Sequence, residues 1–444
     1  MSKRSFSHSL FCHWVGLVNK FYYPHSHYIG RENIPADGNP IVMVGNHQNC
    51  MMDPVNTEVA LSDRKAYCLT RGDIFKVNKY FGKFLFWLGL LPVNRMNFEL
   101  SGEKRNVNIK EANKNTFSEA IKQMSEGNTL ILFPESGHQN KRWLGYFSLA
   151  YLTLAFQTAE KMNFEKEIYI MPFAHHYGNY FNPFYDFVLR FGTPIKLSPY
   201  YERYKEHPRS TIREINALVE EQIRDLMLNI TDLEHYTAID RLREGPKGKE
   251  YAKINGFNPD NLAEKQLADK QLVKVLSDPE KKDALDRLQA IETEILDKGM
   301  RDWVVDKNPG KANLIMRCLL LLVLFPLLLA TIPTWPVIFI PRVMYNKKIN
   351  GAVDVMFRST WDFGFAALAT LPIFWWLPTI ITLFFNWWAA LIYFVAYPIL
   401  TWFAIKYFKL WGKTCGVYRY VTDKDSERIY KQRQSAIHDL NIGL

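Results

Sequence analysis

Residues 45–54 read GNHQNCMMDP and directly follow the apolar run IVMV at 41–44. The run is short, apolar throughout and stopped by a glycine and an asparagine. That is the pattern of a buried strand ending in a turn. His47 and Asp53 come just past that end, with five residues between them. Similar runs recur at KAYCLT (65–70), TLILFPE (129–135), IYIMPFA (168–174) and FVLRFG (187–192). Helical stretches such as NTFSEAIKQMSEG (115–127) separate several of them. Strands alternating with helices predict an α/β fold over residues 31–230, a mostly parallel sheet with packed helices. In such sheets functional side chains gather past the strand C-termini. His47, Glu135 and the residues after Pro172 all stand there.

Around this block, composition narrows the function. The chain has 444 residues, a net charge of +10, and 48% hydrophobic and 15% aromatic residues. Its length predicts more than one domain, and its charge suits polyanions: nucleic acid, anionic lipid head groups or phosphorylated substrates. No nucleic-acid reading module is recognisable, and part of the Lys/Arg excess flanks apolar segments, which argues against a nucleic-acid partner. The five cysteines form no CxxC pair, so they read as reduced thiols of a cytoplasmic chain. No second His or Cys stands at ligand spacing from His47, so no metal is expected.

Residues 1–30 lack the cleavage site of a signal peptide. Leu10, Trp14, Leu17, Val18 and Phe21 recur at helical spacing. That apolar face either packs on its own domain or lies on a membrane surface, and the C-terminal half of the chain favours the second. Residues 231–310 turn polar and helical. DPEKKDALDRLQAIETEILDK predicts an amphipathic helix with a stripe of Leu285, Leu288, Ile291, Ile295 and Leu296. Residues 311–413 are hydrophobic, and 414–444 form a basic cytoplasmic tail. No charge occurs over residues 318–341 or 363–405. The second stretch is 43 residues, about 64 Å of helix, twice the bilayer's hydrocarbon layer. It is therefore expected to fold back near FNWW at 385–388. Basic clusters around both stretches place those ends on the cytoplasmic side. The protein is accordingly expected at a membrane, integral through these segments.

An imidazole beside a carboxylate has two readings. It is a structural pair, or it is a general base whose tautomer the carboxylate fixes. In the second reading the substrate brings its own nucleophilic oxygen. Residues six apart do not meet on a regular helix, so the pair requires a partly non-helical segment between them. Cys50 adds a thiol nucleophile as a lesser alternative.

Further blocks follow in order. GLLPVNR (89–95) leads Arg95 out of an apolar run, LFPESGH (132–138) puts Pro134-Glu135 at a strand end, and YIMPFAHHYGNYF (169–181) centres on Pro172. Together with Asn46-His47 and Asp53-Pro54, these resemble the four blocks of the glycerolipid acyltransferase family, which acylates glycerol 3-phosphate or lysophosphatidate. The resemblance runs from about residue 28 to 197. Five residues between His and Asp resembles the subgroup of glycerol-3-phosphate and dihydroxyacetone-phosphate acyltransferases. Ser136 stands where the family has glycine, with Gly137 next.

The resemblance implies that His47 deprotonates the acceptor hydroxyl and Asp53 orients it. It implies that Arg95 grips the acceptor phosphate, with Glu135, Arg71 and Ser136 in the acceptor site. It gives Phe133, Pro134 and Pro172 the role of acyl-pocket wall or turn; His138, His175 and His176 lie near the blocks and read as structural or peripheral. The donor is an acyl thioester, on coenzyme A or acyl carrier protein, and no cofactor is expected. Membrane lipids are the expected surroundings, and oligomeric state stays open. Lysophosphatidate is the expected acceptor, with glycerol 3-phosphate as the alternative. A non-enzymatic membrane scaffold on the same fold is a further alternative, against which the intact His47 and Asp53 argue.

Overall fold

The computed structural model describes residues 5–36, 38–61, 64–76, 78–94, 109–135, 137, 141–349 and 356–443. It divides into two units. The first comprises Met1–Leu228 with Lys348–Phe363, and the second Asn229–Lys347 with Gly364–Leu444.

The first unit is built on a sheet of eight strands among the described residues: β1 (Ser26–Ile29), β2 (Ile41–Gly45), β3 (Ala66–Arg71), β4 (Leu90–Val93), β5 (Thr129–Leu132), β6 (Tyr169–Tyr177), β7 (Phe187–Phe191) and β8 (Ile195–Lys196). Their order is β1-β7-β6-β2-β5-β3-β4, with β8 also paired to β6. The stretch β6-β2-β5-β3-β4 is parallel throughout; β7 and β8 run antiparallel to β6. The sheet is thus the mostly parallel one expected. β2 lies at its heart, and Ile41, Val42, Met43 and Val44 are all 0% exposed. A strand buried on both faces has no reason to alternate, which is why it reads as a continuous apolar run. Three strands were not legible. β1 is polar at its start, β8 has two residues, and β4 contains Pro92, tolerated because β4 is an edge strand.

Helices α1 (Phe6–Tyr22), α2 (Met52–Ala60), α3 (Lys79–Trp87), α4 (Ile109–Ser125), α5 (Ala150–Lys161), α6 (Tyr201–Glu206) and α7 (Pro208–Leu226) complete the part of this unit that precedes residue 228. Leu152, Ala155, Phe156 and Ala159 of α5 and Ile215, Val219 and Ile223 of α7 are buried with Val42, Leu130 and Ile170 of the sheet in one core. In α1 the buried residues are His8, Val18, Asn19 and Tyr22, while Phe6, Leu10, Leu17 and Phe21 are exposed. Most of the apolar face read from the sequence therefore points outward.

The second unit begins with α8 (Tyr236–Glu244), α9 (Pro246–Ile254), α10 (Leu262–Leu276), α11 (Lys282–Asp297) and α12 (Asp302–Lys307). Three of the five predicted stripe residues of α11 are buried: Leu285, Leu288 and Ile295. Ile291 packs beside them, and Leu296 is exposed. Apolar helices follow in the chain: α13 (Lys311–Ala330), α14 (Trp335–Ile349), α15 (Phe357–Phe365), α16 (Leu377–Phe385) and α17 (Trp387–Thr422), of which α15 belongs to the first unit up to Phe363. Among the described residues, three helices are long and apolar enough to cross a membrane: Lys311–Ala330, Phe357–Phe385 and Trp387–Thr422. α14 has 15 residues, about 22 Å, short of the hydrocarbon layer. The expected reversal in the long uncharged stretch falls at Asn386. Its backbone is extended, and its side chain accepts from the Ala389 N–H to cap α17. Both α13 and α16 pack on α17.

The tail helix α18 (Ser426–Asp439) packs on α11. Arg433, 1% exposed, bonds Glu292 at 2.6 Å and also Asp306, and Arg241 reaches Glu292 at 2.8 Å. Buried charges are tolerable only when paired in this way. His235 is a second clamp. Its Nδ1 meets Asp232 at 2.6 Å and its Nε2 meets Asp286 at 2.7 Å. Burial alone would lower its pKa, but the hydrogen bonds and charges of Asp286 and Asp232 raise it above the ordinary 6.5. A raised histidine adds stability that is complete below the ordinary value and lost as pH rises through the raised one. The unfolding temperature of the chain should therefore fall as pH is taken from about 6 to about 9. His235→Gln should flatten that slope; an unchanged slope in the variant would assign it to other groups.

Candidate active site

The site forms where three parallel strands end together. β2 delivers Asn46 and His47, β5 delivers Phe133 and Glu135, and β6 lies on the other side of β2. Gly45 is needed at this point. A Cβ there would come 2.4 Å from the Phe173 ring, so only a bare α-carbon lets the two strands close up. Asn46 then locks β2 to β6: its Oδ1 accepts from the His175 N–H at 2.7 Å and its Nδ2 donates to the His175 carbonyl at 3.1 Å.

Between His47 and Asp53 the chain leaves the strand, turns, and enters α2. Cys50 sits in the turn with φ +45°, a left-handed conformation that a non-glycine residue adopts only under constraint. The constraint is Asp53. Its Oδ2 accepts from His47 Nδ1, from the Gln48 N–H and from the Asn49 N–H, each at 2.8 Å. Its Oδ1 accepts from the Tyr177 hydroxyl at 2.6 Å. The non-helical segment needed to bring a residue six positions away into contact is therefore folded around the carboxylate itself. Asp53 is fully buried, whereas the His47 side chain is 18% exposed. Burial alone would raise the Asp53 pKa. The nearby His175 and His47 imidazoles and the hydrogen bonds from His47 and Tyr177 outweigh it and hold the carboxyl below its usual range.

Phe133 stacks on the His47 ring at 4.6 Å, and with Nδ1 committed to Asp53 the remaining ring nitrogen is Nε2. Glu135 is 7% exposed and ties two segments together: Oε1 accepts from the His47 N–H and Oε2 from the Gly145 N–H, both at 2.7 Å. Burial pushes its carboxyl up to about 7 against the pull of these two amides. Pro134 turns the chain out of β5, its carbonyl accepting from the Ser148 N–H. Pro172 sits within β6, in register with Val44. Arg71 closes β3, with its guanidinium on Asp73 at 2.6 and 3.2 Å. Arg95, Ser136 and His138 lie outside the described residues.

Two buttresses stand beside Asp53: Tyr177, which the sequence did not single out, and His175, which it marked only as structural or peripheral. Tyr177 holds Oδ1 of Asp53, and its hydroxyl also accepts from Asn56 Nδ2 at 3.1 Å. His175, buried at 1% exposure, has Nδ1 3.8 Å from Asp53 Oδ1 and Nε2 3.0 Å from the Thr57 hydroxyl. Burial lowers its pKa. The signal was period two: in β6, residues 173, 175 and 177 share a face, and that face looks onto the Asp53 loop.

Both Glu135 oxygens must accept, so Glu135→Gln should fail in a defined way. One oxygen becomes an NH2, and either the His47 or the Gly145 amide is left facing a donor. Turnover is expected to fall about tenfold or more through misplacement of His47, with the protein still folded. Wild-type turnover in this variant would mean that the tie is dispensable.

No curated protein matches the chain. A solved structure, the 1-acyl-sn-glycerophosphate (LPA) acyltransferase PlsC from Thermotoga maritima, is similar over 50% of this chain and 83% of that one, at 18% identity and a TM-score of 0.34. The sequence model of the family described as Acyltransferase matches residues 25–176. That interval runs from just before β1 through β6 and takes in His47, Asp53 and Glu135. Through residues 25–176, the chain carries an acyltransferase domain.

Proposed function

We propose that the protein moves a fatty acyl group from an acyl thioester to the hydroxyl of lysophosphatidate, at a membrane surface. The observation that carries the reading is the 2.8 Å bond from His47 Nδ1 to an Asp53 carboxylate oxygen that two main-chain amides also hold. A carboxylate so fixed sets the His47 tautomer and leaves Nε2 as the base. In the step proposed, Nε2 takes the acceptor's hydroxyl proton as that oxygen attacks the thioester carbonyl. The carbon–sulfur bond breaks, and the proton leaves with the thiolate. The protein forms no covalent intermediate, so Cys50, buried in the turn, has no part in it. Arg95 is proposed for the acceptor phosphate, since a guanidinium bonds phosphate oxygens in pairs. Glycerol 3-phosphate is the second acceptor to test, because the five-residue spacing resembles enzymes that use it.

Two observations support a membrane setting. Three helices among the described residues are long and apolar enough to cross a bilayer. In the first unit, Phe6, Leu10, Leu17 and Phe21 of α1 and Tyr80, Phe81, Phe86 and Trp87 of α3 are exposed, and Phe11 meets Phe84 and Trp87 edge-on where the two helices touch. Such a face, with Lys79 and Lys83 on the same short helix, suits the head-group boundary of an anionic bilayer.

The test is acyl transfer by detergent-solubilised protein, given lysophosphatidate and glycerol 3-phosphate separately with a long-chain acyl thioester. Product from lysophosphatidate, lost in His47→Ala, is the expected result; product from glycerol 3-phosphate alone would move the assignment to the second acceptor. Asp53→Asn should keep the fold but lower kcat by about 10² to 10⁴, because a neutral amide no longer stabilises the imidazolium that forms on His47 as it takes the proton. Equal turnover by either variant would remove the base and orienter roles.

A further inference from the structure

The first unit contains a piece of chain from far outside the acyltransferase interval. Residues Lys348–Phe363 belong to it, although the family match ends at residue 176. Met356 and Ser359 are 0% exposed and Phe363 is 6% exposed. The Phe363 ring meets Tyr22 of α1 edge-on at 5.6 Å, and the Tyr22 hydroxyl approaches the Ser359 carbonyl at 3.4 Å. These contacts seat the start of α15 against the first unit, and they bring one polar group to the catalytic turn. The Ser359 hydroxyl donates to Asn49 Oδ1 at 2.6 Å, across 310 positions of sequence.

Asn49 is one of the residues that hold Asp53. Its main-chain N–H donates to Asp53 Oδ2 at 2.8 Å, on the same oxygen that receives His47 Nδ1. Its side chain is fully buried, so its carbonyl oxygen needs a partner, and Ser359 supplies one. The hydroxyl also lies 3.2 Å from the Met356 carbonyl, but it has one proton, and the shorter contact is to Asn49. A chain of bonds thus runs from Ser359 to Asn49, to Asp53, to His47.

We propose that Ser359 is a positioning residue for the acyltransfer site: the segment leading into an apolar helix fixes the Asn49 side chain, and through it the turn that aims Asp53 at His47. The proposal rests on the acyltransferase reading for its effect on turnover, and on geometry alone for the tie itself. Losing the hydroxyl leaves the Asn49 oxygen buried without its donor and lets the turn drift. A drift of about 1 Å at a reacting group costs up to 100-fold in rate.

The test uses the full chain in detergent or nanodiscs and compares wild type with Ser359→Ala, Ser359→Thr, Asn49→Ala and the Asn49→Ala/Ser359→Ala double variant. Steady-state kinetics are measured beside amide hydrogen exchange read by mass spectrometry on peptides covering residues 46–53. In Ser359→Ala, kcat should fall about tenfold with both KM values nearly unchanged, and exchange over residues 46–53 should quicken as the Gln48 and Asn49 amides lose protection. Threonine, which keeps the hydroxyl, should restore part of the turnover. The double variant should be no slower than Asn49→Ala, since Ser359 acts only through that side chain. Wild-type kcat in Ser359→Ala, additive losses in the double variant, or a loss of kcat without quicker exchange at residues 46–53 would each overturn the proposal. If wild-type protein acylates none of the acceptors offered, the functional reading fails separately. The exchange arm then decides: quicker exchange in Ser359→Ala supports the tie, and unchanged exchange rejects it.

Discussion

One buried carboxylate organises the strand-end site of this domain. Asp53 has no access to solvent and receives four hydrogen bonds, from His47, Gln48, Asn49 and Tyr177. A charge in that position is affordable only because every donor is in place. The demand works in both directions: the carboxylate needs the donors, and the donors dictate the path of the chain from β2 to α2. The left-handed turn at Cys50 follows from bringing those groups to one oxygen pair, and the bare α-carbon at Gly45 and the lock between Asn46 and β6 set the strand end from which the turn starts. Chemistry and local fold are thus one constraint, since the group that would orient the base is also the group the turn is wrapped around.

Much of this could be read from the chain alone, for identifiable reasons. β2, β3, β5, β6 and β7 announce themselves because buried parallel strands are continuous apolar runs closed by turn residues. His47 and Asp53 were legible because the two members of this hydrogen-bonded pair are close in sequence. Glu135 was legible as a strand-end carboxylate, but its partners were not: two main-chain amides, which no sequence pattern marks. Tyr177 was hidden because β6 is apolar and aromatic on both faces, so a structural tyrosine there looks like any core residue; His175 was marked as structural or peripheral, without its place beside Asp53. Ser359 was beyond reach, since nothing in a serine before an apolar helix indicates that it meets a residue 310 positions earlier.

The α1 helix shows how a correct periodicity leaves its meaning open. The sequence gives an apolar face, and the fold leaves Leu10, Leu17 and Phe21 of that face uncovered while burying His8 and Asn19 on the other. The hydrophobic effect specifies that such a face will be removed from water, not what will remove it. In the second unit the same principle applies to charge. Arg433, Arg241, Glu292 and Asp306 form a buried network that ties the tail helix to α11.

The discontinuity of the first unit carries a consequence for biosynthesis. Its last piece, Lys348–Phe363, is made only after the whole of Asn229–Lys347. At ribosomal rates that gap lasts on the order of ten seconds, and it includes α13, an apolar helix of 20 residues. While the nascent chain waits, the sheet can assemble, but the cover over Tyr22 and Asn49 has not been synthesised. The acyltransferase domain therefore reaches its finished form only after the first bilayer-length helix has left the ribosome, so its maturation follows α13 in time.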